Sequence, residues 1–230
     1  MQFHCHVPQP MYRAHAFNVQ ELKRMGFAGA EWEARCAFMA EGLNIYVLGK
    51  CLWDVNTDVE ALLDEHYRRF YGPASARVRA WYDGVEQLLT TAPVEHHEEE
   101  RLPEIYPPAK VVQLTEALGD LEGTARAASP LARQRVRFAR LVADHFRAYS
   151  EMRHLEAALD FAGAAREARR MIALEQEIDA IHPAMIDGYA EQRDSAATYG
   201  ELGANASPHG KLKQYLAKQA MLDGTKGELA

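Results

Sequence analysis

The spacing of apolar and polar residues predicts strands and helices in a short N-terminal part of the chain and only helices in the long part after it. The alternating residues 2–6 and the apolar run 27–32 predict two strands, and residues 18–25 predict a helix that Asn18 caps. A helix predicted over 34–52 is apolar on nearly every side, so we expect it to be buried. The order strand, helix, strand, helix predicts a β/α portion at the N-terminus.

Beyond residue 56 the periodicity predicts only helices and the loops between them. The predicted helices cover residues 58–71, 73–89, 109–127, 130–161, 164–188 and 211–222. The proline-rich and strongly charged stretch 92–108 is predicted to be an exposed loop. Short connections favour antiparallel packing of neighbouring helices. The fold is therefore predicted to be mainly α, with a short N-terminal β/α portion followed by an antiparallel helical bundle.

Three regions are predicted along the chain. They are residues 1–56 as the β/α portion, residues 57–190 as a helical domain, and residues 191–230 as a flexible tail with a short helix. The first region raises a problem, because two parallel strands cannot bury both faces of a sheet by themselves. Either the two strands pair with each other beneath the bundle, or they belong to a larger sheet whose other strands this chain lacks. We favour the larger sheet.

The composition is that of an ordinary globular protein and narrows the function only by exclusion. Hydrophobic residues make up 48% and charged residues 26%, which leaves ample material for a core. The net charge of -7 argues against a nucleic-acid partner, and no apolar run reaches the roughly 20 residues of a membrane span. No signal-peptide pattern is seen, so a cytoplasmic location is expected for the chain as written. No phosphate loop, nucleophile elbow or zinc spacing indicates a cofactor or a metal.

Residues 43–72 form the most distinctive stretch of the chain. They contain an aromatic-rich helix, a break at Trp53-Asp54, an amphipathic helix and then Phe70-Tyr71-Gly72. This order resembles the C-terminal part of the bacterial family called domain of unknown function 4838, and more distantly the α-glucuronidase-type glycoside hydrolases. The residues that match are Asn44, Tyr46, Leu52, Trp53, Asp54, Asp58, Val59, Leu62, Leu63, Asp64, Phe70, Tyr71 and Gly72. The chain departs from the family pattern at Val55, where the family usually has proline.

The resemblance implies that residues 1–56 are the terminal β/α units of a (β/α)₈-type, TIM-like barrel, with a C-terminal helical domain after them. Such a barrel takes about 250 residues, so most of it would lie outside this chain. The implied protein is the C-terminal fragment of a glycoside hydrolase-like, carbohydrate-active protein. It would act on O-glycosyl bonds when the full barrel is present and would be inactive without it. Carbohydrate is therefore the expected partner, and an N-terminal barrel segment is the expected missing piece.

Glu31 and Glu33 are the predicted catalytic residues, because barrel enzymes place reactive side chains where a strand ends. Glycoside hydrolysis needs two carboxylates about 5–10 Å apart, and residues two positions apart on a strand share one face. Trp32, between them, is predicted to stack on a sugar ring. An alternative stays open, in which both glutamates only stabilise the N-terminus of the next helix.

His4, His6, Asn44 and Tyr46 are further candidates for substrate binding. His4 and His6 share one face of the first predicted strand, where they are either sugar contacts or polar packing. As metal ligands they lack a third partner. Asn44 and Tyr46 lie on the helix predicted to be buried, where their polar groups need hydrogen-bond partners.

The most family-specific residues, Trp53 and Asp54, are predicted to be structural. A tryptophan at a junction of two helices buries a large apolar area, and an aspartate stabilises the turn by hydrogen bonds. Neither residue is therefore expected to contact a substrate.

An alternative function from another class is a non-catalytic helical module for binding or assembly. Its basis is that most of the chain is amphipathic helix without reactive residues. Apolar side chains that an incomplete barrel leaves exposed would then be covered by self-association or by a partner. The side chains concerned are Phe3, Val7, Phe27 and Trp32.

Overall fold

The computed structural model describes residues 7–31, 38–93, 101–182 and 207–228, and these residues are mainly helical. The helices are α1 (Tyr12–Arg24), α2 (Phe38–Trp53), α3 (Val59–Tyr71), α4 (Ser75–Thr91), α5 (Leu102–Ile105), α6 (Pro108–Ala117), α7 (Leu121–Thr124), α8 (Pro130–Ala157), α9 (Phe161–Asp179) and α10 (Pro208–Glu228). A 3₁₀ turn over Gly72–Ala74 joins α3 to α4. Helix α1 packs against α2, α3 against α4, and α8 against α9. The prediction of a mainly α fold is therefore confirmed.

The N-terminal β/α portion predicted from the sequence is not seen in the described residues. Residues 27–31, predicted as a strand, form an irregular connection after α1, and residues 2–6 lie outside the described ranges. Helix α1 ends where Gly26 adopts a φ of 88°, and the amide of Phe27 then donates to the carbonyl of Leu22 at 3.0 Å. The apolar run therefore follows a helix terminus. Among the described residues no strand offers it the hydrogen bonds that a sheet requires.

Helix α1 begins at Tyr12 rather than at the predicted Asn18, which lies exposed within the helix. Its start is fixed from outside by Asn44 on α2. The side-chain oxygen of Asn44 accepts the amide of Met11 at 2.9 Å, and its nitrogen donates to the carbonyl of Gln9 at 2.8 Å. A contact between residues so far apart leaves no signal in the local sequence, which explains why the predicted start was wrong.

The junction of α2 and α3 confirms the turn predicted at Asp54 and contradicts the burial predicted for Trp53. The carboxylate of Asp54 accepts the amide of Asn56 at 2.9 Å, and its carbonyl accepts the hydroxyl of Thr57 at 2.7 Å. Asp58 caps α3 with its side chain. Trp53, in contrast, is 91% exposed. Helix α2 ends at this residue and the turn leads the chain away, so no described element covers the indole.

The core lies around α8, the longest of the described helices. On its buried face Phe146 meets the ring of Tyr106 edge-on, with the centroids 4.8 Å apart. Leu102, Ile105 and Tyr106 are all buried, so the second half of the stretch 92–108 belongs to the core. The prediction of an exposed loop was wrong there, because its prolines lie at helix starts rather than in open loop.

A buried pair of ionisable side chains joins α8 to α9. Nε2 of His145 lies 3.2 Å from Oε1 of Glu175, and the two side chains are 0% and 2% exposed. Glu175 is the charged residue on the otherwise apolar buried face of α9. Its partner across the interface explains how the core accepts it, because buried polar groups require hydrogen bonds.

Helix α10 packs against α9 through Tyr215, whose side chain is fully buried. The ring stacks on Phe161 with the centroids 6.3 Å apart, and the hydroxyl donates to Glu156 at 2.9 Å. This helix extends beyond the predicted range 211–222 at both ends. The division of the chain at residues 56 and 190 stays a prediction.

Replacing Tyr215 by alanine should destabilise the protein by about 3 kcal/mol, since a buried aromatic ring is lost and a cavity remains. The neighbouring Leu216, 47% exposed on the same helix, is the matched control. Leu216→Ala should change the free energy of unfolding in urea by less than about 1 kcal/mol. Equal effects of the two substitutions would contradict the packing of α10.

Candidate functional site

Four aromatic side chains line the boundary between α2 and α3, and we call them the aromatic strip: Phe38, Tyr46, His66 and Phe70. The rings of Tyr46 and His66 lie 5.5 Å apart, those of His66 and Phe70 are stacked at 5.3 Å, and Phe38 stacks on Phe70 at 6.0 Å. Phe38 and Tyr46 are 36% and 38% exposed. The strip therefore presents a partly open row of rings to solvent.

The four-residue spacing along α2 and α3 brings these rings together. His66 and Phe70 are four residues apart on α3, as are Tyr46 and Gly42 on α2, so each pair shares a face. Gly42 lets the ring of Phe38 lie directly against the α2 backbone. A Cβ at this position would come within 2.4 Å of that ring. The glycine is therefore part of how the strip is shaped.

Two cations lie against rings of the aromatic strip. The ammonium of Lys50 lies 5.8 Å from the ring centre of Tyr46, and the guanidinium of Arg135, from α8, lies 4.0 Å from that of Phe70. Both distances fall within the range of cation–π attraction. The strip therefore combines apolar ring surface with positive charge and hydrogen-bond donors.

His66 is neutral at physiological pH. Burial among the rings, together with the charge of Arg135, lowers the pKa of His66 to about 4. A neutral imidazole offers one donor and one acceptor nitrogen. His66 can therefore orient a polar ligand but is a poor general acid near pH 7.

A small cavity of about 20 Å³ lies behind the strip, with Asn44, His66, Tyr71 and Tyr82 in its lining. It has room for about one water molecule. Burial raises the pKa of Tyr82 to about 12 and that of Tyr71 well above its usual value. These phenols therefore stay protonated and supply hydroxyl groups rather than a base.

Helix α3 is held in place by charged side chains that we call the Arg13 network: Arg13, Arg79, Glu60, Asp64, Asp83 and Glu86. Arg13 donates to Glu60 at 2.6 Å and to Asp83 at 2.9 Å, and its guanidinium also pairs with Glu86. The hydroxyl of Tyr12 donates to Asp83 at 3.0 Å. The network thereby connects α1, α3 and α4.

Arg79 strengthens the same connection from α4. Its guanidinium pairs with Glu60 and Asp64 of α3 and lies 3.4 Å from Asp83 on its own helix. Arginine forms several directed bonds to carboxylates at once, which fixes both the distance and the orientation of the helices it joins.

Two carboxylates of the network have pKa values that move in opposite directions. The hydrogen bond from Arg13 lowers the pKa of Glu60. Glu86 is only 4% exposed, and burial raises its pKa although Arg13 opposes the change. Glu60 is thus held in its charged form, whereas the charge of Glu86 depends on the presence of Arg13.

The structure brings only part of the predicted site together. Tyr46 is in the aromatic strip, and Asn44 lies behind it with both ends of its amide bonded to backbone at Gln9 and Met11. Glu31 is exposed at the end of the connection after α1. The other predicted residues, His4, His6, Trp32 and Glu33, lie outside the described residues. The assigned catalytic and sugar-contact roles all stay predictions.

Sequence reasoning missed His66, Phe70, Lys50 and Arg135 as parts of a site. His66 and Phe70 fall on the apolar face of α3, where periodicity identifies them only as core. Arg135 comes from a helix that is distant in sequence. One signal in the sequence could have identified the site. His66 is a polar ring on the aromatic face of α3, and a polar ring in such a place needs a hydrogen-bond partner.

Within the described part of the chain, no three His, Cys, Asp or Glu side chains are arranged to hold a metal ion. None of the described helices combines the length and the apolar character needed to cross a bilayer.

Residues 2–83 match the family model described as Domain of unknown function (DUF4838). The match confirms the resemblance inferred from residues 43–72, but it does not support the more distant likeness to α-glucuronidases. It includes all four residues of the aromatic strip, whereas Arg135 and Glu86 lie beyond it. No curated protein matches the chain, and no solved structure matches it either.

Arg13 is expected to be the residue on which the packing of α3 depends. Arg13→Met should lower the free energy of unfolding at pH 7 by about 3 kcal/mol, because Glu86 is left buried without a counter-charge. Arg24→Met, which removes a surface pair with Glu21, should change it by less than about 1 kcal/mol.

The effect of Arg13→Met should also depend on pH. Burial raises the folded-state pKa of Glu86, so this group favours folding at low pH and disfavours it as pH rises through that pKa. Without Arg13 the folded pKa rises further. Urea unfolding should therefore show a loss that is largest at pH 7 and smaller at pH 4.5. A loss independent of pH would show that Glu86 is not its cause.

The low pKa of His66 predicts a second pH dependence of the free energy of unfolding. Its folded pKa of about 4 is below the unfolded value of 6.5, so stability is full above pH 6.5 and falls as pH is lowered through this window. The slope from this group is at most about 1.4 kcal/mol per pH unit. His66→Phe should reduce the slope in urea unfolding between pH 6.5 and 4.5. A slope equal to that of the unchanged protein would disprove the assignment.

Proposed function

We propose that this chain is the helical part of a carbohydrate-active, glycoside hydrolase-like protein, and that the aromatic strip binds the carbohydrate. The observation that carries the proposal is the partly exposed row of rings against which Lys50 and Arg135 lie. The match of residues 2–83 to DUF4838 supports it only in that the strip lies within the family segment. The carbohydrate class comes from the resemblance.

The rings supply the shape that a sugar needs. One face of a pyranose ring carries mainly C–H groups, and such a face packs on an exposed aromatic ring while the hydroxyl groups point outward. Tyr46 is the most suitable ring, because it is 38% exposed and carries a hydroxyl of its own. His66 beside it adds a neutral donor and acceptor for sugar hydroxyl groups.

The two cations suggest which sugars bind best. Lys50 lies against Tyr46 and Arg135 against Phe70, so a ligand that extends along the strip would meet positive charge at two of its rings. Arginine and lysine bind carboxylates more strongly than neutral oxygens. We therefore propose acidic oligosaccharides as the preferred ligand class.

We do not propose that this chain hydrolyses a glycosidic bond by itself. Hydrolysis would also need a barrel segment that precedes this chain. Glu31 and Glu33 stay predicted as the catalytic pair, but Glu31 lies in an irregular connection after α1, so a position at a strand end no longer supports them. The purified 230-residue chain should release no product from aryl glycosides. Turnover by the isolated chain would contradict this assignment.

A second candidate function is a non-catalytic binding or assembly module. The exposure of Trp53 and Leu52 on α2 favours it, since these side chains would be covered in an assembly. The cytoplasmic location and the absence of nucleic-acid and membrane partners stay predictions under both functions.

Tyr46→Ala should weaken the binding of an oligogalacturonide by about tenfold in isothermal titration calorimetry, because the stacking surface is lost. Phe17→Ala is the matched control, since Phe17 is an aromatic residue of α1 that is 60% exposed outside the strip. Its affinity should equal that of the unchanged protein. No binding of any oligosaccharide at millimolar concentration, or equal effects of both substitutions, would disprove the site.

Lys50→Met separates charge from stacking. It should weaken the binding of the oligogalacturonide while leaving the affinity for a neutral xylo-oligosaccharide unchanged, because only the acidic ligand uses the ammonium group. If both ligands lose affinity equally, Lys50 has no part in selecting an acidic sugar.

A further inference from the structure

Helix α2 has a second exposed surface that is apolar rather than aromatic and cationic. We call it the docking face, and it consists of Ile45, Gly49, Leu52 and Trp53 together with Phe27 from the connection after α1. Ile45, Leu52, Trp53 and Phe27 are 39%, 42%, 91% and 52% exposed. Positions 45, 49, 52 and 53 recur at three- and four-residue steps, so they form one continuous face.

The docking face is concave as well as apolar, because it includes a shallow groove and an open space at Gly49. Phe27, Leu52 and Trp53 line a shallow groove of about 180 Å³ between α1 and α2. At Gly49, no heavy atom other than those of its two chain neighbours and of the α2 backbone itself lies within 4 Å of the place that a Cβ would take. The glycine therefore leaves a notch in the middle of the face, where another backbone can approach closely.

The charge of the face permits a second copy of the same chain. The protein carries a net charge of -7, which would repel copies that meet through most of its surface. The docking face itself contains no ionisable side chain. Charged residues of both signs lie beside it, since Lys50 is exposed on α2, Lys23 lines the same groove as Phe27, and Asp54 is exposed directly after Trp53.

The area of the face suits a reversible dimer. An aromatic side chain buries about 150–250 Å², so the exposed parts of Trp53 and Phe27 amount to roughly 300 Å². Ile45 and Leu52 raise this to roughly 450 Å² per copy by the same reasoning. Two copies would bury on the order of 1,000 Å² in total with their rims, near the lower limit of specific interfaces.

We propose that the docking face is a homodimer interface, in which α2 packs antiparallel against α2 of a second copy across a two-fold axis at Gly49. In such an interface each contact occurs twice. Trp53 and Ile45 are each four residues from Gly49, so the indole of each copy lies against the isoleucine of the other. The large side chain covers an exposed aliphatic one, and the notch at Gly49 allows the close approach.

This interface is independent of the carbohydrate site, because its residues differ from those of the aromatic strip. Dimerisation would place two strips in one particle. A dimer that binds no sugar, or a monomer that does, would therefore separate the two proposals.

Sedimentation equilibrium of the full chain tests the dimer. The unchanged protein should show a monomer–dimer equilibrium with a dissociation constant on the order of 10 µM. Trp53→Glu should be monomeric at every concentration measured. Leu131→Glu, which adds the same charge at a 54% exposed leucine of α8, should dimerise like the unchanged protein.

Both glutamate variants should keep the thermal midpoint of the unchanged protein, which confirms that they are folded. If the unchanged protein is a monomer at several hundred micromolar, the proposal is overturned and the face serves another occupant, such as a preceding chain segment. An equal effect of Trp53→Glu and Leu131→Glu would overturn it as well.

A cysteine at Gly49 tests the register independently. In a chain with Cys5, Cys36 and Cys51 replaced by alanine, Gly49→Cys should form a disulfide-linked dimer under mild oxidation. The added Cβ meets open space, so the helix should not be disturbed. Lys110→Cys, exposed on α6, should give no linked dimer. A dimer in solution that Gly49→Cys fails to link would overturn the antiparallel register.

Discussion

Arg13 bonds carboxylates on two helices at once, Glu60 of α3 and Glu86 of α4, and its own backbone belongs to α1. Because Glu86 is almost fully buried, its charge is tolerated only with a guanidinium beside it, and this requirement fixes α1 against α4. Arg79 then binds the same Glu60 from α4. The orientation of α3 follows from these bonds, and with it the position of the aromatic strip.

Helix α2 packs against α1 on one side. Two other parts of its surface, the aromatic strip and the docking face, are exposed to solvent. An exposed helix usually carries charged residues on its outer face, but α2 contains only Glu41 and Lys50, and Glu41 is buried. Its solvent-facing surface is instead divided between the aromatic strip and the docking face. A helix of this composition is better suited to contact with other molecules than to contact with water, and the two proposals assign one ligand to each surface.

Periodicity predicted most helices of the bundle, because each buries one face and exposes another. The helix predicted over 109–127 is divided into α6 and α7. The predicted helix 58–71 and the observed α3 differ by one residue. The apolar run 27–32 was read as a strand, since short apolar runs look alike in strands and in connections that follow a helix. Trp53 was expected to be buried because of its size, yet burial depends on a neighbour that the described structure does not provide.

The candidate site was only partly predictable for a related physical reason. Tyr46 was a candidate because its polar group was expected on a buried helix, yet it is 38% exposed. Arg135 reaches the strip from a helix far along the chain. The Arg13 network likewise joins residues about seventy positions apart, which local sequence cannot show. Contacts of this kind depend on how helices pack, and a single sequence contains no direct record of it.

The most direct test of the account is a ¹H–¹⁵N NMR titration of the full chain with an oligogalacturonide. If the aromatic strip is the carbohydrate site, the amide shifts that change should belong to α2 and α3 around Tyr46 and His66, and those around Trp53 should stay constant. Shift changes centred on Trp53, or none at all at millimolar ligand, would contradict the account.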